Sequence, residues 1–296
     1  MPSWKGQTRG GLLGYRIFVF ILKNLGIRAA YFVLRFVVLY FIFFAPKATI
    51  SLFQYFRRAQ KFSVLKSAFA VVKNFFLLGQ TIIDKVVLSA GIKNNIGYTF
   101  TGEEFLMDLK HKNQGALLIS AHVGSWDIAG FLLKRLETKV NIVMYEAEHE
   151  KIKTYLSEVM GQESWKVIPI KNDLSHIFLI NAALAAKEIV CIHGDRFVDE
   201  AKVMAHDFYG KKAYFPAGPF MMATKLSVPY SFVYCVKSAS NHYDLFATPI
   251  AMAQQSAGEV LTDYVERLQH MLARYPYQWF NYYDFWEDKV STPVLK

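Results

Sequence analysis

Residues 115–130 read GALLISAHVGSWDIAG, with His122 just past a short apolar run and Asp127 five residues later. The run reads as a strand and the stretch from Trp126 as a helix, so His122 falls at a strand's C-terminal end. That is where open α/β sheets place their ligands. The spacing lets the Asp127 carboxylate reach one imidazole nitrogen, fixing the tautomer and stabilising the imidazolium. The other nitrogen is then free to take a proton from an attacking hydroxyl. Backbone N–H groups around Gly124, Ser125 and Trp126 lie at the same helix N-terminus, where they can face developing negative charge. By spacing alone, a histidine and an acid so placed also describe a helix cap and a dipole partner, which is the commoner arrangement.

Other reactive side chains are less organised. His193, Asp195, Asp199, Glu200, His206 and Asp207 crowd one stretch, but their spacing matches no metal-ligand motif, so no metal is expected. No serine-hydrolase elbow and no Walker loop is present. Cys191 and Cys235 are far apart and suit a reducing compartment as core residues. Lys211 and Lys212 read as a solvated turn.

The elements that must position His122 belong to an α/β domain. Apolar runs at 116–120, 140–145, 166–170, 189–192 and 231–236 read as strands. Helical patterns at 127–136, 150–159, 175–186, 220–226 and 259–275 fall among and after them. This alternation predicts a mixed, largely parallel, buried sheet flanked by helices.

The first third of the chain has another texture. The protein is 53% hydrophobic, with 25 Phe and 17 Tyr and a net charge of +10. Residues 1–100 hold 14 Lys/Arg and one acid, Asp84, whereas residues 101–296 carry a net −3. Basic residues among Phe, Leu and Tyr suit anionic lipid headgroups. They do not suit nucleic acid, for which no recognised module is present. Residues 29–45 (AAYFVLRFVVLYFIFFA) form a 17-residue run with one charge, Arg35, ended by Pro46. A span needs about 20 apolar residues, and 17 is near the lower limit. A spanning helix and one lying on the surface therefore both fit. Two amphipathic helices follow over 48–89. We divide the chain into a membrane-associated helical region, 1–92, and a catalytic domain, 93–296.

The stretch Ala121-His122-Val123-Gly124-Ser125-Trp126-Asp127 resembles the His-x4-acid block of the lysophospholipid acyltransferase superfamily, and within it the bacterial lipid A late acyltransferases. The resemblance continues in order: residues 190–197 (VCIHGDRF), Phe208-Tyr209-Gly210, Phe215-Pro216-Ala217-Gly218-Pro219, and the tail Tyr275-Pro276-Tyr277-Gln278-Trp279-Phe280. It covers nearly the whole chain.

The resemblance implies a glycerolipid-acyltransferase-like fold at the cytoplasmic (inner) membrane, with the catalytic domain on the cytoplasmic side. It implies transfer of a fatty acyl group to a hydroxyl of a lipid-like acceptor. The donor would be a thioester on acyl-carrier protein or acyl-CoA, and no cofactor is needed. His122 would be the general base and Asp127 its orienting acid. Gly124, Ser125, Trp126, Asp195, Arg196 and Gly218 would contact substrate, with Arg196 gripping a phosphate or carboxylate bidentately. A structural ion pair of Asp195 with Arg196 is the alternative for those two. Membrane lipids and the carrier protein are the implied partners.

Two departures bear on the acceptor. Asp127 stands where the branch more often has Glu. Glu146, Glu148, His149 and Glu150 stand where it usually offers an arginine. Both leave room for an amino-acid lipid or a polyene pigment instead of lipid A. A catalytically silent lipid-binding relative is the rival of another class.

Overall fold

The computed structural model describes residues 12–133, 137–145, 165–171, 173, 175–197, 201–252, 256–286 and 294–295. Arg135, Glu146, Glu148, His149, Glu150, Asp199, Glu200 and the helix expected over 150–159 lie outside them.

The expected apolar runs form five adjacent strands of an eight-stranded sheet. Its strands are β1 (Gly97–Thr101), β2 (Ala116–Ser120), β3 (Val140–Met144), β4 (Trp165–Pro169), β5 (Ile189–His193), β8 (Pro229–Ala239), β9 (His242–Ala247) and β10 (Ala251–Met252). The order is β1-β9-β8-β2-β5-β3-β4, with β10 beside β8. All neighbours from β8 to β4 run parallel, whereas β8 pairs antiparallel with β9 and β10. β2 is apolar at both alternations because both faces are covered. Leu117 and Ile119 enter the main core, and Ala116 and Leu118 meet Leu106 and Leu109 of α4 (Glu103–His111).

Some strands have no strong apolar run. β9 alternates half-buried and buried residues, β1 is an exposed edge, and β6 (Val203–Asp207) pairs with β7 (Lys212–Pro216) in a small second sheet. The helices flanking the sheet include α5 (Trp126–Leu133), α6 (Ser175–Ala185), α7 (Ala217–Lys225) and α8 (Ala257–Arg274).

The N-terminal third is α1 (Leu12–Phe44), α2 (Pro46–Arg58) and α3 (Val64–Ser89). α1 breaks direction at Gly26, whose φ of 78° suits a residue without Cβ. One stripe of α1 (Val19, Leu22, Ala30, Leu34, Val38) is buried. Leu34 seats directly on α3, where a Cβ on Gly79 would stand 2.3 Å from its Cδ1. The opposite side of α1 exposes Phe20, Phe32, Phe36 and Phe43, and the start of α3 exposes Leu65 and Phe69. A patch this large is a liability in water and marks an interaction surface. The helix Leu13–Phe44 is also long and apolar enough to cross a membrane.

The boundary at 92/93 falls in the loop between α3 and β1, yet a single apolar core holds residues from Val19 to Phe285. A buried polar knot joins the two parts. Asp84 of α3 accepts hydrogen bonds from Lys237 of β8, Tyr243 of β9 and Tyr31 of α1. The side chains of Asp84 and Lys237 have no exposed surface. Removing one partner strands an uncompensated buried charge, which costs about 3–5 kcal/mol. We therefore expect Asp84→Asn or Lys237→Met each to destabilise the fold by that order. The double change to Leu and Met should cost less than either alone, as read by chemical denaturation in mild detergent.

Candidate active site

β2 and β5 are adjacent and parallel, with Ser120 opposite His193. Two residues beyond each partner stand His122 and Asp195, so the same register that pairs the strands brings these side chains together. The His122 Nδ1–H donates to Asp195 Oδ1 at 2.8 Å, and the His122 backbone N–H donates to Oδ2 at 2.9 Å. A carboxylate can only accept, so Nδ1 carries the proton and Nε2 keeps its lone pair. Trp279 Nε1 adds a third donor to Asp195 at 3.1 Å.

The tail that ends in Trp279 is itself laced to the site. Gly124 N–H donates to Gln278 O, and Phe280 N–H donates to His122 O. The Gln278 amide pairs with both backbone groups of Lys237. Asn74 of α3 donates to the carbonyls of Tyr277 and Trp279. The 275–280 stretch is thus the clamp that holds His122 and Asp195 in register.

Gly124 is required by the turn. Its φ is +71°, and a Cβ there would lie 1.9 Å from the Cys235 carbonyl oxygen. Ser125 N–H donates to that same oxygen at 2.7 Å, and Ser125 Oγ caps α5 by accepting from Ile128 N–H. The amides of Gly124 and Ser125 are therefore spent inside the fold and do not supply the anion-facing donors expected of them.

His122 opens onto a cavity lined by Gly124, Ser125, Trp126, Asp127, Arg196, Phe280 and, from α3, Leu78, Thr81 and Ile82. The carboxylate on Nδ1 is Asp195, so the orienting position expected for Asp127 is occupied by another residue. Asp127 lies in the cavity wall and forms a 2.7 Å ion pair with Lys85 of α3. Asp195 is only 1% exposed and stands behind the imidazole, bonded to its Nδ1. It is not in a simple pair with Arg196 either: the Arg196 guanidinium lines the cavity and donates to the Phe280 carbonyl. Gly218 sits exposed in the first turn of α7 and is not among these lining residues.

Of the crowded acidic and histidine stretch, His206 is bonded to Thr262 and to the Asp207 carbonyl. Asp207 accepts from Gly210 N–H in the β6–β7 turn. His193 does come to the site: its ring centroid is 4.2 Å from that of His122, and Trp126 stands edge-on to it. His122, His193 and Asp195 offer ligand atoms within 4.8 Å of one another. The Asp195 oxygens are already met by three N–H donors, whereas His193 Nδ1 is buried without a hydrogen-bond partner among the described residues. Asp195's role was hidden in the sequence, but there was a signal: His122 and Asp195 stand at matching offsets from the ends of two strands that a parallel sheet can place side by side.

Residues 59–286 match the sequence profile of the bacterial lipid A biosynthesis acyltransferases. No curated protein matches the chain.

Burial, then the Arg196 cation, push the His122 pKa below 6.5, while Asp195 pulls it back up. Burial and the neighbouring His122 bring His193 down to about 3. Burial alone would raise Asp195, but His122, His193 and Arg196 together hold it well below the usual carboxylate range. His122 is therefore neutral at pH 7. NMR titration should find its midpoint below 6.5, and Arg196→Gln, which removes a repelling cation, should raise that midpoint. In the unfolded chain both rings protonate near 6.5. Their effect on stability is thus neutral above 6.5, and stability falls as the pH drops below it, down to about 3 for His193.

Proposed function

The chain belongs to the bacterial lipid A biosynthesis acyltransferase family and is an acyltransferase acting on lipid-like substrates; from this premise we propose that His122 is its general base. What carries the reading is the neutral imidazole with its lone pair turned to a cavity and its Nδ1–H held by a buried carboxylate. An acceptor hydroxyl gives its proton to His122 Nε2 as its oxygen attacks the thioester carbonyl. Asp195 stabilises the imidazolium that forms. The tetrahedral intermediate expels the thiolate, which takes the proton back from the ring, leaving an ester, a free thiol and a neutral histidine. No acyl-enzyme is needed.

The donor is the thioester of acyl-carrier protein, with acyl-CoA as the rival. Asp127, which lines the same cavity, faces the acceptor. The exposed apolar side of α1 attaches the protein to the cytoplasmic membrane, with the sheet on the cytoplasmic side.

For the acceptor, among the described lining residues the only cationic side chain is Arg196. A phosphorylated sugar lipid calls for more than one guanidinium. This favours a less anionic amphiphile, such as an amino-acid lipid with a free hydroxyl, over a lipid A precursor.

His122→Ala should lower transfer by about 10²–10⁴-fold. Asp195→Asn should be comparably severe, since an amide can hold the wrong tautomer. Transfer within a few-fold of wild type in either variant would reject the assignment. Acylated carrier protein offered with a phosphorylated lipid A precursor and with a hydroxylated amino-acid lipid should acylate the second faster. The reverse order would place the enzyme on lipid A itself.

A further inference from the structure

Two consecutive residues of α3 reach across to the catalytic part with opposite charges. Asp84 goes to Lys237 in the buried knot, and Lys85 goes to Asp127 on the cavity wall. Successive helix residues point about 100° apart, so one turn of α3 grips both β8 and α5. The Lys85 ammonium also lies 5.8 Å from the Trp126 ring centroid. It therefore touches both residues that open α5, and through Trp126 it borders the His193 ring that packs on His122.

We propose that Lys85 is a positioning residue for acyl transfer, holding the Asp127 carboxylate and the Trp126 ring at the acceptor side of the cavity. The proposal rests on the reading of Asp127 as acceptor-facing. Four observations support it. Asp127 is a cavity-lining group whose ion-pair partner, Lys85, comes from outside the lining. The pair is four-fifths buried on the Asp127 side and three-quarters on the Lys85 side, so water screens it only in part. Asp84, one residue before, is locked at zero exposure, which fixes the rotation and height of α3 and so delivers Lys85 to the same place each time. The residues of α3 that line the cavity, Leu78, Thr81 and Ile82, lie within two turns of Lys85 on the same helix. The helical region thus supplies part of the acceptor wall and the cation that sets the carboxylate on it.

The test uses the full-length enzyme in detergent, with acylated carrier protein as donor and the hydroxylated amino-acid lipid or lipid A precursor, whichever wild type acylates faster, as acceptor. Lys85→Met should raise the acceptor KM or lower kcat/KM for it by about 10- to 100-fold, the usual consequence of small misplacement in a site. The donor KM should stay near wild type, and the loss for the acceptor should exceed what any fall in melting temperature explains. Lys85→Arg should recover most of the loss. In an Asp127→Asn background, Lys85→Met should have little further effect, because both changes remove the same arrangement. An unchanged acceptor KM and kcat/KM, additive losses in the double variant, or a loss that tracks melting temperature without arginine rescue would each overturn the proposal. His122→Ala run alongside separates the two readings: wild-type transfer there rejects the base, whereas loss there with an unaffected Lys85→Met rejects only the positioning role.

Discussion

A carboxylate sealed from water has to be met by donors, and among the described residues those of Asp195 come from parts of the chain that are remote in sequence. The backbone and ring of His122 come from the end of β2, and the indole of Trp279 comes from the tail beyond α8. Each contact requires another to be in place. The tail reaches Asp195 because Gln278 is tied to β8 and because Asn74 of α3 holds its carbonyls. The Gly124 turn lies flat on β8 because it has no Cβ, which lets the chain enter α5 with Asp127 in the cavity wall. The unfavourable burial of one charge is thus offset by an arrangement that also fixes a tautomer.

The strands around His122 were legible because a parallel sheet covered on both faces writes itself as continuous apolar runs. ALLIS at 116–120 and VNIVM at 140–144 are strands at those bounds. β1, β9 and the β6–β7 hairpin were not, because β1 and β9 bury only alternate or few residues and the hairpin carries His206, Asp207 and Lys212 on its strands. The helix starts were easier. Ser256 with Glu259 forms a capping box ahead of α8, where a helix was expected from Glu259.

The site was legible as a list of residues and not as a set of partners. His122, Asp127, Asp195 and Arg196 could all be named from the chain, but a spacing of five residues favours a local pairing of His122 with Asp127. Strand register decides otherwise: residue 195 is next to residue 122 only once β2 and β5 lie side by side. Likewise the 275–280 tail was recognisable as a pattern, but its work is to supply an indole N–H and backbone groups whose targets lie some 80 to 200 residues earlier.

The seat of Leu34 on Gly79 means that the greasy arm is no detachable anchor. Domain shuffling exchanges modules whose contacts are few, and here the first helix is packed into the one that walls the cavity beside His122. A lineage that replaced α1 with some other apolar helix would still reach the membrane, yet it would lose the backing of α3 unless a matching side chain arrived at the same height. The address of this enzyme and its chemistry are therefore inherited together, and substitutions on the hidden stripe of the arm should travel through evolution in company with those on the inner wall.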